Sequence, residues 1–177
     1  MGRFELLEKA FHRFVPDQAY ETFVEKNKKW LEDYSLYMAI KNSLGGIAWS
    51  EWEAPLKTRQ EAALEEKRVE LKEQMDFICF QQYEFAKQWE KLKQYANEKD
   101  IQIIGDIPIY VAFDSADAWA NPELFQFDEN STPLAVAGCP PDAFAATGQL
   151  WGNPLYRWDY HAQTGYVWWI SRLRHCF

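Results

Sequence analysis

The run Ile101-Gln102-Ile103-Ile104-Gly105-Asp106 decides how the rest of the chain is read. Four mostly apolar, β-branched residues are too few and too stiff for a helix, so Ile101–Ile104 reads as a buried strand. Asp106 then stands at its end. A carboxylate in that position faces the open end of a parallel sheet, where barrel and doubly wound folds place their sites. Upstream lies a long helix-forming segment, and a 3.6-period pattern leading into a β-branched run predicts the αβ half of a βαβ repeat and a parallel sheet. Downstream, a segment punctuated by Pro and Gly runs to Tyr156 with little periodicity. Loops of that length in a compact protein carry function or are disordered, and the aromatic content of this one opposes disorder.

Working back from the strand, residues 58–97 are almost all helix-forming. Leu71, Met75, Ile78, Phe85, Trp89, Leu92 and Ala96 keep the helical period. The rings Phe77, Phe80, Tyr83, Phe85 and Trp89 make this face too broad for a coiled-coil seam, which predicts packing against a sheet. Acids and lysines over 61–73 form a solvated face. Earlier, Phe4, Leu7, Phe11 and Phe14 recur at helical spacing up to Pro16, and Asp17 caps a short helix through Phe23 and Val24. A further helix runs from Trp30 to Leu44 and stops at Gly45-Gly46. Trp49, Trp52 and Pro55 read as a packing plug. Beyond Asp106, Asp114 is the expected cap of a short helical turn to Trp119, Phe125 to Asn130 forms a hairpin or turn, and the aromatic series through Trp168 and Trp169 ends in an amphipathic helix.

Composition limits the partners. The 177 residues carry Trp 9, Tyr 9 and Phe 12, with a net charge of -8. Nucleic acid and anionic membrane both need clustered Lys and Arg, so no nucleic acid and no membrane is expected to bind. After Lys99 there is no Lys, and Arg157, Arg172 and Arg174 face nine acids. That balance suits a neutral polar ligand better than a phosphate. Cys79, Cys139 and Cys176 lack metal-type spacing and His12, His161 and His175 are scattered, so no metal is expected. With no signal peptide and no long apolar run, a reducing cytoplasm is the expected compartment.

Several uncommon peptides stand together: Ile104-Gly105-Asp106-Ile107-Pro108-Ile109-Tyr110-Val111-Ala112, then 114–125, the Pro140-Pro141-Asp142 loop, Thr147-Gly148-Gln149-Leu150-Trp151-Gly152-Asn153-Pro154-Leu155-Tyr156, and Gly165-Tyr166 with Trp168-Trp169-Ile170. In this order they resemble the amylomaltases, the 4-α-glucanotransferases. Upstream, Lys29 to Ala39 and Gln88-Trp89 are similar to that family too. The resemblance implies an α/β fold, a partial (β/α)8 TIM barrel with extensive helical insertions. Residues 1–99 would be the helical insertion region and 100–177 a barrel segment with a glucan-binding loop. It also implies an enzyme that moves α-1,4-glucan segments between malto-oligosaccharides by a retaining double displacement, without cofactor. Such chemistry needs one carboxylate nucleophile and a second carboxyl as acid and base. In the family both lie downstream, the nucleophile in an Arg-x-Asp-His strand, and Arg174-His175-Cys176-Phe177 is helix end instead. The barrel's first strands are likewise expected upstream of Met1. The chain therefore reads as a transferase segment without its nucleophile and acid/base, inactive in isolation and prone to self-association through open strand edges.

Carried over by position, Asp106 resembles a supporting acid beside the nucleophile strand, buried and orienting the arginine of that motif. Asp142 and Phe144 fall in the loop that folds over glucan, and Gln149, Trp151 and Asn153 along the groove, Trp151 offering a ring face and the amides hydrogen bonds to sugar hydroxyls. Three positions depart from the pattern. Ala143 replaces a usual aromatic, Cys139 a small hydrophobic and Ala145 a Ser. Loss of the ring at Ala143 removes a sugar contact. Two other readings compete with the enzyme: a glucan-binding module without turnover, and a helical interaction protein built on residues 58–97.

Overall fold

The computed structural model describes residues 2–176. In chain order these form α1 (Arg3–Phe11), α2 (Gln18–Ser43), a 3-10 turn at Trp49–Glu51, α3 (Ala54–Lys57), α4 (Glu61–Glu70), α5 (Lys72–Asn97), α6 (Ala116–Ala120), a 3-10 turn at Pro122–Leu124, β1 (Val136–Cys139), β2 (Gln149–Pro154), α7 (Trp158–Gln163) and α8 (Val167–Cys176). They divide into two compact units, Met1–Ile47 with Thr58–Ile103 and Ala48–Lys57 with Ile104–Phe177.

The first unit is helical. Asp17 Oδ1 accepts from the backbone N–H of Tyr20 at 2.8 Å, the expected cap. It opens one continuous helix of 26 residues, not two, because the polar residues between Val24 and Trp30 hold no breaker. Gly46, at φ +86°, closes that helix with a bond from its N–H to Lys41 O at 2.8 Å. The segment 58–97 is instead broken at Leu71, which leaves helical geometry (φ -105°, ψ 19°) while its side chain is buried. No Pro or Gly marks that break in the sequence.

The rings of α5 meet helices and loops rather than a sheet. Phe77 and Phe80 lie 5.3 and 5.7 Å from Phe11, and Phe80 lies 4.9 Å from Phe14. Tyr83 meets Tyr20 edge-on at 5.3 Å. The helical period of the stripe thus fixes the face, while α1 and α2 supply the cover. Its later part, with Phe85 at 66% and Leu92 at 51% exposure, is uncovered among the described residues.

The second unit is built on aromatic packing. Trp49 and Trp52 are buried plugs, as their sequence context predicts. Trp49 Nε1 donates to Phe113 O at 2.7 Å, and Trp119 Nε1 donates to Leu56 O at 3.0 Å, pinning α3 and α6. Asp114 caps no helix. Ser115 is the N-cap of α6, and Asp114 Oδ1 accepts from Trp49 N at 3.3 Å. Phe125–Asn130 does form a turn, closed by a Phe127–Pro133 bridge and by Asp128 Oδ1 accepting from the N–H groups of Asn130 and Thr132.

Two expectations about strands change. Ile101–Ile104 is not a strand: no described strand lies beside it to accept a ladder, and Ile101 and Ile104 are 58% and 83% exposed. Among the described residues the sheet is a two-stranded antiparallel pair, β1 with β2, with no parallel pairing. The pair has no signature in the sequence, because β2 buries only Pro154 and half-buries Asn153, which leaves no alternation to detect.

Candidate functional site

The β1–β2 hairpin presents the candidate residues. Gly138 lets the strands close, since a Cβ there would stand 2.4 Å from Gln149 O. Gly148, at φ +71°, brings the chain back into β2, and a Cβ would lie 2.6 Å from Cys139 O. Between them Asp142 shapes the tip. Its Oδ1 accepts from the backbone N–H groups of Phe144 and Ala145 at 2.8 and 2.7 Å, and Ala145 O accepts from Gly148 N at 2.9 Å. The Asp142 carboxylate is therefore spent on the turn as well as being open to solvent. Phe144 is carried outward, 97% exposed.

On β2, Gln149 and Trp151 share a face because side chains two apart do so on a strand. Trp151 Nε1 donates to Gln149 Oε1 at 3.0 Å, so the amide holds the indole while its NH2 group remains a donor for a ligand. Trp151 is 50% exposed. Asn153 behaves differently. It is half-buried and its Nδ2 donates to Val111 O at 2.8 Å, a structural bond to the segment after Asp106. That segment has no regular structure, yet it is held: Tyr156 Oη donates to Ile109 O at 2.7 Å and Arg172 Nη2 to Pro108 O at 2.8 Å.

Asp106 is exposed, not buried at a strand end, since Ile101–Ile104 forms no strand among the described residues. The structure thus brings Gln149 and Trp151 together, places Asp142 and Phe144 at the tip of the same hairpin, and ties Asn153 to the chain beyond Asp106. Sequence reasoning missed Tyr110, whose ring stacks on Tyr156 (5.9 Å, 8°) and lies 6.3 Å from Trp151. Nothing in its apolar surroundings separates it from a core tyrosine. Burial pushes the Tyr156 phenol up to about 12, despite the opposing pull of Arg172. It is a fixed donor at any ordinary pH.

The pattern is matched elsewhere. The family model described as 4-alpha-glucanotransferase matches residues 2–177. The chain belongs to the 4-alpha-glucanotransferase family. The 4-alpha-glucanotransferase of Clostridium butyricum is 48% identical over 175 residues, which cover 97% of this chain and 36% of that protein. That of Aquifex aeolicus (strain VF5) is 50% identical over 171 residues, covering 97% and 35%. An amylomaltase from Streptococcus agalactiae, solved in complex with acarbose, superposes with a TM-score of 0.92 at 44% identity, covering 98% of this chain and 36% of that one. The chain spans about a third of the length of these glucanotransferases. Among its described residues no group of three or more His, Cys, Asp or Glu is placed to hold a metal, and no helix is long and apolar enough to cross a membrane.

Proposed function

We propose that this chain is the glucan-gripping part of a 4-alpha-glucanotransferase that transfers α-1,4-glucan segments between malto-oligosaccharides by retaining double displacement. The observation that carries the reading is the paired Gln149 and Trp151 on one face of β2, beneath a hairpin tip that Asp142 shapes to hold Phe144 outward. A half-exposed indole backed by a fixed amide suits the apolar face of a glucose ring and its hydroxyls. The absence of any Lys after Lys99 in the sequence favours a neutral ligand, and the acarbose complex of the related amylomaltase agrees with a sugar.

In this proposal the nucleophile and the acid/base lie outside the 177 residues, and Asp106 plays a supporting part once further strands flank Ile101–Ile104. Residues 100–177 then form a segment of a (β/α)8 barrel and 1–99 its helical insertion. The compartment is cytoplasmic and no cofactor takes part. Titration of indole fluorescence with maltotriose tests the reading. Saturable quenching that Trp151→Ala abolishes is the expected result; quenching unchanged in that variant would sink it.

A further inference from the structure

Three carbonyls shortly after Asp106 are held by side chains instead of a strand ladder. Pro108 O, Ile109 O and Val111 O accept from Arg172 Nη2, Tyr156 Oη and Asn153 Nδ2 at 2.8, 2.7 and 2.8 Å. Arg172 is the unusual member of this set. Its guanidinium lies 4.7 Å from the centroid of Trp168 and 4.9 Å from that of Trp169, one turn and just under one turn back on α8. Trp168 is itself tied to α6, through Nε1 donating to Asp117 Oδ1 at 3.2 Å, and Trp169 packs edge-on against Tyr156 at 5.2 Å. Arg172 Nη1 is buried without a partner among the described residues. A guanidinium nitrogen desolvated in this way is held by the planar stacking of its group, which a lysine cannot reproduce.

The consequence reaches the ligand face through Tyr110. Its ring is parallel to Tyr156 at 5.9 Å and meets Trp151 at 6.3 Å. Movement of Pro108–Tyr110 therefore moves the ring that borders Trp151. We propose that Arg172 is a positioning residue for the glucan face: by clasping Pro108 O from its two-indole seat it fixes Tyr110, and through Tyr110 the orientation of Trp151. This rests on the glucan reading only for the ligand; the coupling of Arg172 to Trp151 stands apart from it.

The test uses the whole 177-residue chain, following the indole N–H signal of Trp151 by NMR and the maltotriose affinity of Arg172→Met, Arg172→Lys and Tyr156→Phe. Arg172→Met is expected to shift the Trp151 signal and to weaken maltotriose roughly two- to tenfold, the equivalent of one hydrogen bond. Arg172→Lys should restore neither. Tyr156→Phe, which frees the adjacent carbonyl, should move the same signal and serves if Arg172→Met does not fold. A merely structural arginine would lower the melting temperature while leaving the Trp151 signal and the affinity of the folded protein unchanged, and that outcome, or full rescue by Lys, overturns the proposal. If the unmodified chain binds no maltotriose, the glucan reading fails, and the Trp151 signal alone still decides the clasp.

Discussion

His161 is fully buried, with Nε2–H donating to Leu124 O at 3.2 Å and Nδ1 unpartnered among the described residues. The rings of Tyr156, Trp158 and Trp168 surround it at 5.4 to 5.9 Å. Burial lowers its pKa from the ordinary 6.5, because the imidazolium loses water and the bond to Leu124 O offsets only part of that loss. The unfolded chain then binds the proton more readily. Stability from the neutral ring is complete above about pH 6.5 and declines as pH falls below it towards the folded pKa. Urea melts at pH 7.5 and 5.5 are expected to differ, and the difference should shrink in His161→Phe; an equal acid loss in both proteins would remove His161 as its cause. Ala143 is a second residue-scale case. Replacing it by Tyr puts a ring beside the exposed Phe144 and should tighten maltotriose binding, whereas unchanged affinity would mean that this loop position touches no sugar.

At the scale of elements, the hairpin depends on two glycines more than on side-chain packing. Gly148→Ala would force a Cβ to 2.6 Å from Cys139 O at φ +71°, at a strain of roughly 1–3 kcal/mol. Thermal melting should show that loss, and the turn at Asp142 should open to faster amide exchange at Phe144 and Ala145. A variant with native stability and exchange would show that the turn tolerates a side chain there. Helices were legible because their signals are local. Asp17, Gly45-Gly46 and the ring spacing on α5 each state a start, a stop or a face within a few residues. What covers a face is not local: the α5 rings meet Phe11, Phe14 and Tyr20, some sixty residues away in sequence, and the sequence pattern alone fits a sheet equally well. The hairpin was hidden for a related reason, as a strand pair with one buried residue on β2 lacks the period by which strands are found. Residue types at the site were legible from the family pattern, but not their division of labour, with Asn153 bound to Val111 O and Gln149 to the indole of Trp151.

Across the whole molecule, exposed apolar side chains are spread along the chain, and one group of them lies in a single short stretch. Ile101, Ile104 and Ile109 are 58%, 83% and 68% exposed, and Ile101–Ile104 keeps a strand's composition without a strand's partners. Such a segment is a template for pairing between copies. Sedimentation velocity on the purified chain is expected to show concentration-dependent association, reduced by Ile104→Lys; a monomer at all concentrations would contradict this. The strand prediction at Ile101 was sound as chemistry and failed as structure for the same reason, since a strand is a property of a pair. Relatives sharing about half of its residues are nearly three times as long, which leaves room for the proposed division of roles: grip here, bond-making carboxylates elsewhere.

That division is tested most directly by incubating the purified chain with maltotriose, under conditions where fluorescence shows it bound, and separating the products by length. Maltotriose recovered intact is the predicted result. Glucose appearing together with longer oligosaccharides would contradict it, and would mean that these residues carry, or assemble between copies, a complete transferase site.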